Sequence, residues 1–381
     1  MWLPLRTVPV LLPLLACHPG PRVVLLADGS WGPVPFSVSF DGSQTRSGTE
    51  IVDYQWVLGD GTRRSGPRIH HTFLESGEHE ILLTVTDANG RVGASTARIG
   101  AYREPCPEFE EPVPTGTVDA PAIREASGLV ASARHSDTLW LHNDSGHPAH
   151  LHAIDTEGAH LGVVVLEGAG SVDWEDIALG PAPDDDDLHL YVGDIGDNLS
   201  RRDHITIYRL PEPPLPEDPA TPLHFEDWVA LEMTYPDGAQ DAETLLVDPR
   251  TGEILVGTKS FDGISRLYRY PLPQRPEERV ELEFVAELDF TPEGLNIYGF
   301  PLLTAGDISP DGARILLRTY TGALLWPRGN ASIVDALAGR PCDVPLAPEP
   351  QGEAIAFGAD GQGYWTISEG TEQPLYWYAE P

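Results

Sequence analysis

Five times after residue 124 a short apolar run opens on small or acidic residues, turns, and returns as an alternating run with a polar end. The openings are EASGLV at Glu125, DWEDIA at Asp173, DAETLL at Asp241, AGDISP at Ala305 and QGEAIAF at Gln351. The returns are LWLHNDSG, LYVGDIGDN, ILVGTKS, ILLRTYTG and YWTISEG, and a third run follows each: HLHAID, ITIYRL, RLYRYP, ALLWP and PLYWY. Runs of this length with period-two alternation, bounded by turn clusters such as PDG and ADG, predict strands. Repeats of three or four such strands predict a β-propeller, aligned here on Leu129, Ile177, Leu245, Ile308 and Ile355. Five blades are expected, and the long segment 290–303 leaves room for a sixth. A fourth, outer strand is readable in HLGVVVLE, FEDWVALEMTY and VELEFVAEL. The chain ends after the third strand of the last repeat, so residues 118–123 are expected to supply its outer strand and close the ring.

Ahead of the repeats, residues 22–100 read as short alternating strands separated by DGS, SGT and DANG clusters, the pattern of a small β-sandwich. The pieces YQWVLGDG at Tyr54, HTF at His71 and LLTVTDANG at Leu82 resemble a PKD (polycystic kidney disease) domain. That resemblance implies a core role for Trp56 and a tight turn at Gly59, Asp60 and Gly61; Leu58 stands where an aromatic is usual. Residues 101–117 are rich in Pro and Glu without periodicity and read as an extended linker. The expected fold is therefore all-β: an Ig-like β-sandwich at 22–100, a linker at 101–117 and a β-propeller at 118–381.

The first residues carry Arg6 and then VPVLLPLLA, too short to span a bilayer as a helix but suited to a signal peptide over 1–16. The sequence LLAC resembles a bacterial lipobox, which implies lipidation of Cys17 and a short tether over 17–21. A lipid-anchored protein of the bacterial outer membrane or cell surface is expected. In an oxidising exterior the two remaining cysteines, Cys106 and Cys342, are expected to pair.

A formal net charge of -35 with Lys259 as the single lysine opposes binding to nucleic acid or anionic lipid. It favours cations. In a propeller the innermost strand begins and the second strand ends on one face of the disc, so both polar ends of every hairpin are expected around one channel mouth. The ligand-binding candidates there are Asn143, Asp144, Asp173, Trp174, Glu175, Asp176, Asp241, Glu243, Lys259, Asp307, Arg318, Glu353 and Glu369. Converging carboxylates repel one another unless protonated or neutralised, and calcium takes six to eight oxygens of this kind. The Gly-permitted turn GDIGDN makes Asp194, Asp197 and Asn198 the expected calcium ligands, although Asp and Asn also cap tight turns without metal. The opposite mouth would carry the acidic run at 184–187, read as a solvated loop. Alternation puts His150 and His152 on one strand face, where a transition metal is conceivable.

No Gly-x-Ser-x-Gly elbow and no Gly-rich phosphate loop occurs. The stretches QGEAIAFGADGQGYWTISEG and DWEDIA resemble secreted bacterial phytase-like propellers, and SPDGARILL at Ser309 resembles the periplasmic TolB-type repeat. The phytase-like resemblance implies a calcium-loaded mouth lined by several basic residues; here Lys259 and Arg318 are placed for that role, with Arg201 and Arg202 nearby. Two functions follow as expectations. One is a surface protein that binds a glycan, peptide or small molecule at an acidic, calcium-loaded mouth. The other is a metal-dependent hydrolase of phosphoesters, esters or lactones, with Glu175, Glu243, Lys259, Arg318 and Glu353 as catalytic candidates.

Overall fold

The computed structural model describes residues 20–183, 185–297 and 299–381. The expected signal peptide, Cys17 and most of the tether lie outside these residues, as does Asp184 of the acidic run. No helix among the described residues is long and apolar enough to cross a membrane. The chain forms two compact units that divide between Arg103 and Glu104.

The first unit is a β-sandwich. One sheet has three strands, Leu26–Ala27, Phe36–Asp41 and Arg68–Phe73; the other has five, of which Gly77–Asp87 and Val92–Tyr102 are the longest. Alternation in Gly77–Asp87 sends Ile81, Leu83 and Val85 inward against Phe40, Trp56 and Phe73. Trp56 is fully buried, and its indole N–H donates to Gly66 O at 2.9 Å, which removes the cost of burying that donor. Gly59 is required by space: a Cβ there would lie 2.6 Å from the His79 Cα. Gly61 sits at φ +89, in the left-handed region that the turn needs.

The second unit contains five blades of antiparallel strands, the first two extended by short parallel outer strands, Leu223–Phe225 and Val280–Glu281. Their innermost strands are Ala126–Ala131, Trp174–Ala182, Ala242–Val247, Leu303–Ile308 and Gly352–Phe357, and each lies against the next around a ring that returns from the fifth to the first. These strands read as buried along nearly their whole length because both faces are covered by neighbouring blades. The fifth blade takes its outer strand from the start of the unit: Val113–Val118 pairs antiparallel with Gln373–Ala379. Ring closure thus comes from residues expected as linker, a few positions before the stretch 118–123. The segment expected as a possible sixth blade contributes no strand between Asp289 and Leu303 among the described residues.

Buried carboxylates tie the blades at the centre. Asp176 Oδ2 accepts from the Leu245 and Gly306 backbone N–H groups at 2.8 and 3.3 Å, joining the second blade to the third and fourth. Asp307 Oδ2 accepts from Phe357 N at 2.8 Å, joining the fourth to the fifth. Burial raises both carboxyls, Asp307 to about 7 and Asp176 well above the ordinary range, against the lowering effect of those amides. Cys106 and Cys342 form a disulfide with Cα atoms 5.6 Å apart, which fixes the segment before the closing strand to the outer strand Cys342–Val344 of the fourth blade.

Candidate ligand-binding site at the propeller mouth

Each inner strand carries a pairing irregularity at its start. In the second blade the register passes from Trp174↔Asp194 to Asp176↔Gly193 and skips Glu175; the third, fourth and fifth blades skip Glu243, Thr304 and Glu353 in the same way. A residue left out of a ladder is re-aimed, and here the three Glu side chains turn into the channel mouth. The second strands end opposite, at Asn143, Asp194, Thr258, Thr319 and Ser368. The residues that follow them are Asp144, Ile195, Lys259, Tyr320 and Glu369.

Carboxylate oxygens from Asp144, Glu353 and Glu369 lie within 4.8 Å of one another, as do those of Asp144, Asp173 and Glu175, and those of Glu175, Asp241 and Glu243. Asp144 and Glu175 each belong to two of these groups, so the seven carboxylates form one continuous cluster. Lys259 is the cation within it. Its ammonium bonds Glu243 Oε1 and stands 5.2 Å from the centre of the Tyr320 ring. The Tyr320 hydroxyl donates to Glu353 Oε1 at 2.7 Å, and Gln351 Nε2 donates to the same oxygen at 3.2 Å. Gly196 gives the cluster room, since a Cβ there would meet Glu175 Oε1 at 2.0 Å.

Glu175 is 1% exposed and Glu243 2%, and Glu175 Oε1 and Glu243 Oε2 are buried without a hydrogen-bond partner. Burial, and after it the repulsion of Glu243, Asp144 and Asp173, raises the Glu175 carboxyl well above its ordinary range. Burial raises Glu243 too, against the attraction of Lys259. Burial opposes the charge on Lys259, but the Glu243 carboxylate outweighs it and its pKa rises. Asp144 is pushed to about 6, chiefly by burial, and Glu369 to about 9, by burial and then by hydrogen bonding to Glu353.

These shifts carry a sign that can be measured. A carboxyl raised in the folded state binds its proton there at pH values where the unfolded chain has released it, so stability falls as pH rises through that interval. The melting temperature of the chelator-treated protein is expected to fall between about pH 5 and pH 9, the window set by Asp144 and Glu369. A melting temperature that climbs across that window would contradict the arrangement.

Several expected site residues lie elsewhere. Asp307 is two positions further along its strand than the residue equivalent to Asp176, because the structural counterpart of Ile177 is Gly306 and not Ile308. Arg318 is fully buried and donates to Glu349 Oε2 at 2.9 Å and Ala354 O at 2.8 Å, so it braces two blades instead of facing the mouth. Trp174 is a core residue whose indole N–H donates to Gly170 O at 3.0 Å. Asp176 bonds backbone amides between blades, and Asn143 accepts from Arg124 and Glu125 N–H groups at 2.8 and 3.0 Å.

Two of the expected calcium ligands, Asp194 and Asp197, spend carboxylate oxygens on groups of the protein itself. Asp194 accepts from the Val172 and Asp173 N–H groups and from Arg202, Asp197 accepts from the Arg201 and Arg202 N–H groups at 2.5 and 2.6 Å, and Asn198 is exposed. Their oxygens hold a loop, and among the described residues the groups of three Asp or Glu side chains close enough to share a cation are those of the mouth. His150 and His152 share a face with ring centres 6.4 Å apart, but no three-ligand histidine group occurs among the described residues. Tyr320, the residue that sequence reasoning missed, was available by extending the repeat alignment one position past Thr319.

The first unit has a clear match. Residues 34–100 match the PKD domain family. The chain is 34% identical over 80 residues to collagenase ColA of Clostridium perfringens (strain 13 / Type A), a stretch that is 21% of this chain and 7% of that protein. Among solved structures, the PKD1 domain of Vibrio anguillarum Epp is 23% identical with a TM-score of 0.20, covering 23% of this chain and 99% of that one. A quinonprotein alcohol dehydrogenase-like protein from Bacteroides thetaiotaomicron is 9% identical with a TM-score of 0.31, covering 92% and 95%. The N-terminal unit is a PKD domain; the propeller rests on its own sheet pairing.

Proposed function

We propose that this chain is an exported ligand-binding protein of a bacterial surface, anchored through lipid on Cys17, whose propeller mouth is loaded with a divalent cation, calcium being the natural one. The observation that carries this is the pair of buried, unpartnered oxygens, Glu175 Oε1 and Glu243 Oε2, within one cluster of carboxylates. An unpaired buried polar oxygen costs about 1–3 kcal/mol, and a hard cation bound between such oxygens relieves it. The cation would be held by Glu175, Asp241 and Glu243, with Asp173 and Asp144 beside them. When bound, it supplies a positive point to which a ligand's oxygen atoms attach. The disulfide and the PKD domain both suit an extracytoplasmic setting.

Calcium at about 100 times its dissociation constant is expected to add roughly 2.7 kcal/mol of stability to chelator-treated protein. Thermal melts with and without calcium check this, and an unchanged melting temperature would sink the proposal.

A hydrolytic reading has its own support in Lys259 and Tyr320, which set an ammonium and a hydroxyl beside Glu243 and Glu353. Such groups suit charge that develops in a transition state. A panel of phosphoester, carboxyl ester, lactone and glycoside substrates with calcium, zinc or manganese separates the two. Binding without turnover is expected; turnover that disappears in Glu353→Gln would establish the hydrolase.

A further inference from the structure

Four large apolar side chains stand exposed around the acidic mouth: Val172 at 60%, Leu199 at 68%, Phe261 at 89% and Phe300 at 67%. Each is tied to a mouth residue through the backbone. Val172 precedes Asp173, and its N–H donates to Asp194 Oδ2 at 3.1 Å. Leu199 follows two positions after Asp197, whose N–H donates to Asp241 Oδ1 at 2.8 Å. Phe261 is two positions past Lys259, and Phe300 N donates at 3.1 Å to Thr321 Oγ1, next to Tyr320. Phe261 and Phe300 come from adjoining loops, since Pro301 packs where a Cβ on Gly263 would stand, 3.1 Å away. Single exposed apolar residues are ordinary, but a set of them rimming one polar opening marks an interaction face.

From this rim and the charge it encloses we infer that the mouth face docks a polypeptide segment carrying a Lys or Arg beside apolar side chains. The basic side chain enters the carboxylate cluster and the apolar ones cover Phe261, Phe300, Leu199 and Val172. Charge decides the class of occupant. A divalent cation held by Glu175, Asp241 and Glu243 leaves the Asp144, Glu353 and Glu369 group, whose clustered oxygens accept from a Lys or Arg head that ionises them as it enters. An anionic lipid surface meets repulsion there, as does nucleic acid. A large apolar anchor beside a desolvated charge pair is the arrangement that concentrates binding energy at protein interfaces. The inference uses the same mouth as the proposed cation site but does not depend on the cation being present.

The test is selection from a random peptide library displayed on phage against the full chain, in calcium and separately in chelator, followed by affinity measurement of the selected peptides by fluorescence anisotropy. Enriched sequences are expected to carry Lys or Arg next to Leu, Ile, Phe or Trp, and to bind more weakly as salt rises. The Phe261→Ser/Phe300→Ser double variant, exposed positions whose change spares the core, is expected to lose at least about tenfold in affinity. Enrichment of acidic or featureless sequences would overturn the inference, as would equal binding by the double variant. Rim-dependent binding to phosphatidylcholine vesicles with no peptide enriched would assign the face to membranes and also overturn it. A missing calcium response with basic peptides still bound would refute the cation site alone.

Discussion

Glu175→Gln is expected to raise the melting temperature of the calcium-free protein and to abolish the stabilisation that calcium gives the wild type. The two effects share one cause. Glu175 is buried, one of its oxygens has no partner, and the repulsion of Glu243, Asp144 and Asp173 outweighs the attraction of Lys259. Replacing it by a neutral amide of the same shape removes the desolvation and repulsion while keeping the packing against Gly196. The same change deletes a ligand shared by two carboxylate groups. Loss of the roughly 2.7 kcal/mol linkage term at 100-fold excess calcium follows. Glu243→Gln is the poorer probe, because it would leave the half-buried Lys259 ammonium without its carboxylate. Thermal melts of both proteins with calcium and with chelator check the expectation; a variant less stable than wild type in chelator, yet still stabilised by calcium, would contradict it.

The second large effect belongs to the disulfide. Cys106 and Cys342 are separated by 236 positions, so the bond closes nearly the whole propeller into a loop. In the chain-entropy account a loop of this length contributes about 5 kcal/mol by restricting the unfolded chain. It also holds the segment that leads into Val113–Val118, the strand that completes the fifth blade. Cys342→Ser is therefore expected to lower unfolding free energy by several kcal/mol and to expose that strand to protease first. Guanidinium denaturation and limited proteolysis measure both; a loss below about 1 kcal/mol with an unchanged cleavage pattern would show that the ring closes without the bond.

The repeat was legible because inner strands buried on both faces keep their apolar runs, and because turn chemistry recurs with each blade. Three of its five anchors, Ile177, Leu245 and Ile355, sit two positions past the Glu residues that fill the mouth. The fourth blade defeated the reading. Thr304 replaces the Glu, Gly306 replaces the apolar anchor, and the next apolar residue, Ile308, attracted the alignment two places too far. That slip brought Asp307 into the expected site, although its carboxylate serves two backbone amides.

Arg318 was misread for a different reason. Its buried partner Glu349 lies in an inter-blade segment with no periodic signal, so an ion pair that neutralises it was invisible in the pattern. The GDIGDN turn is a related case. Asp and Asn in a tight turn look alike whether they bind metal or backbone N–H groups, and here amides at 2.5 to 3.1 Å from Asp194 and Asp197 take the oxygens. The closing strand was placed a few residues late because Pro and Glu in residues 101–117 mask the alternation of Val113–Val118.

The most direct test of the cation-loaded mouth is calorimetric titration of calcium into chelator-treated protein near pH 7, repeated in two buffers of different ionisation enthalpy. Saturable binding is predicted, with protons released to the buffer, because the raised carboxyls of the mouth must ionise to meet the cation. Absence of saturable heat in wild type, or the same binding in Glu175→Gln, would contradict the account.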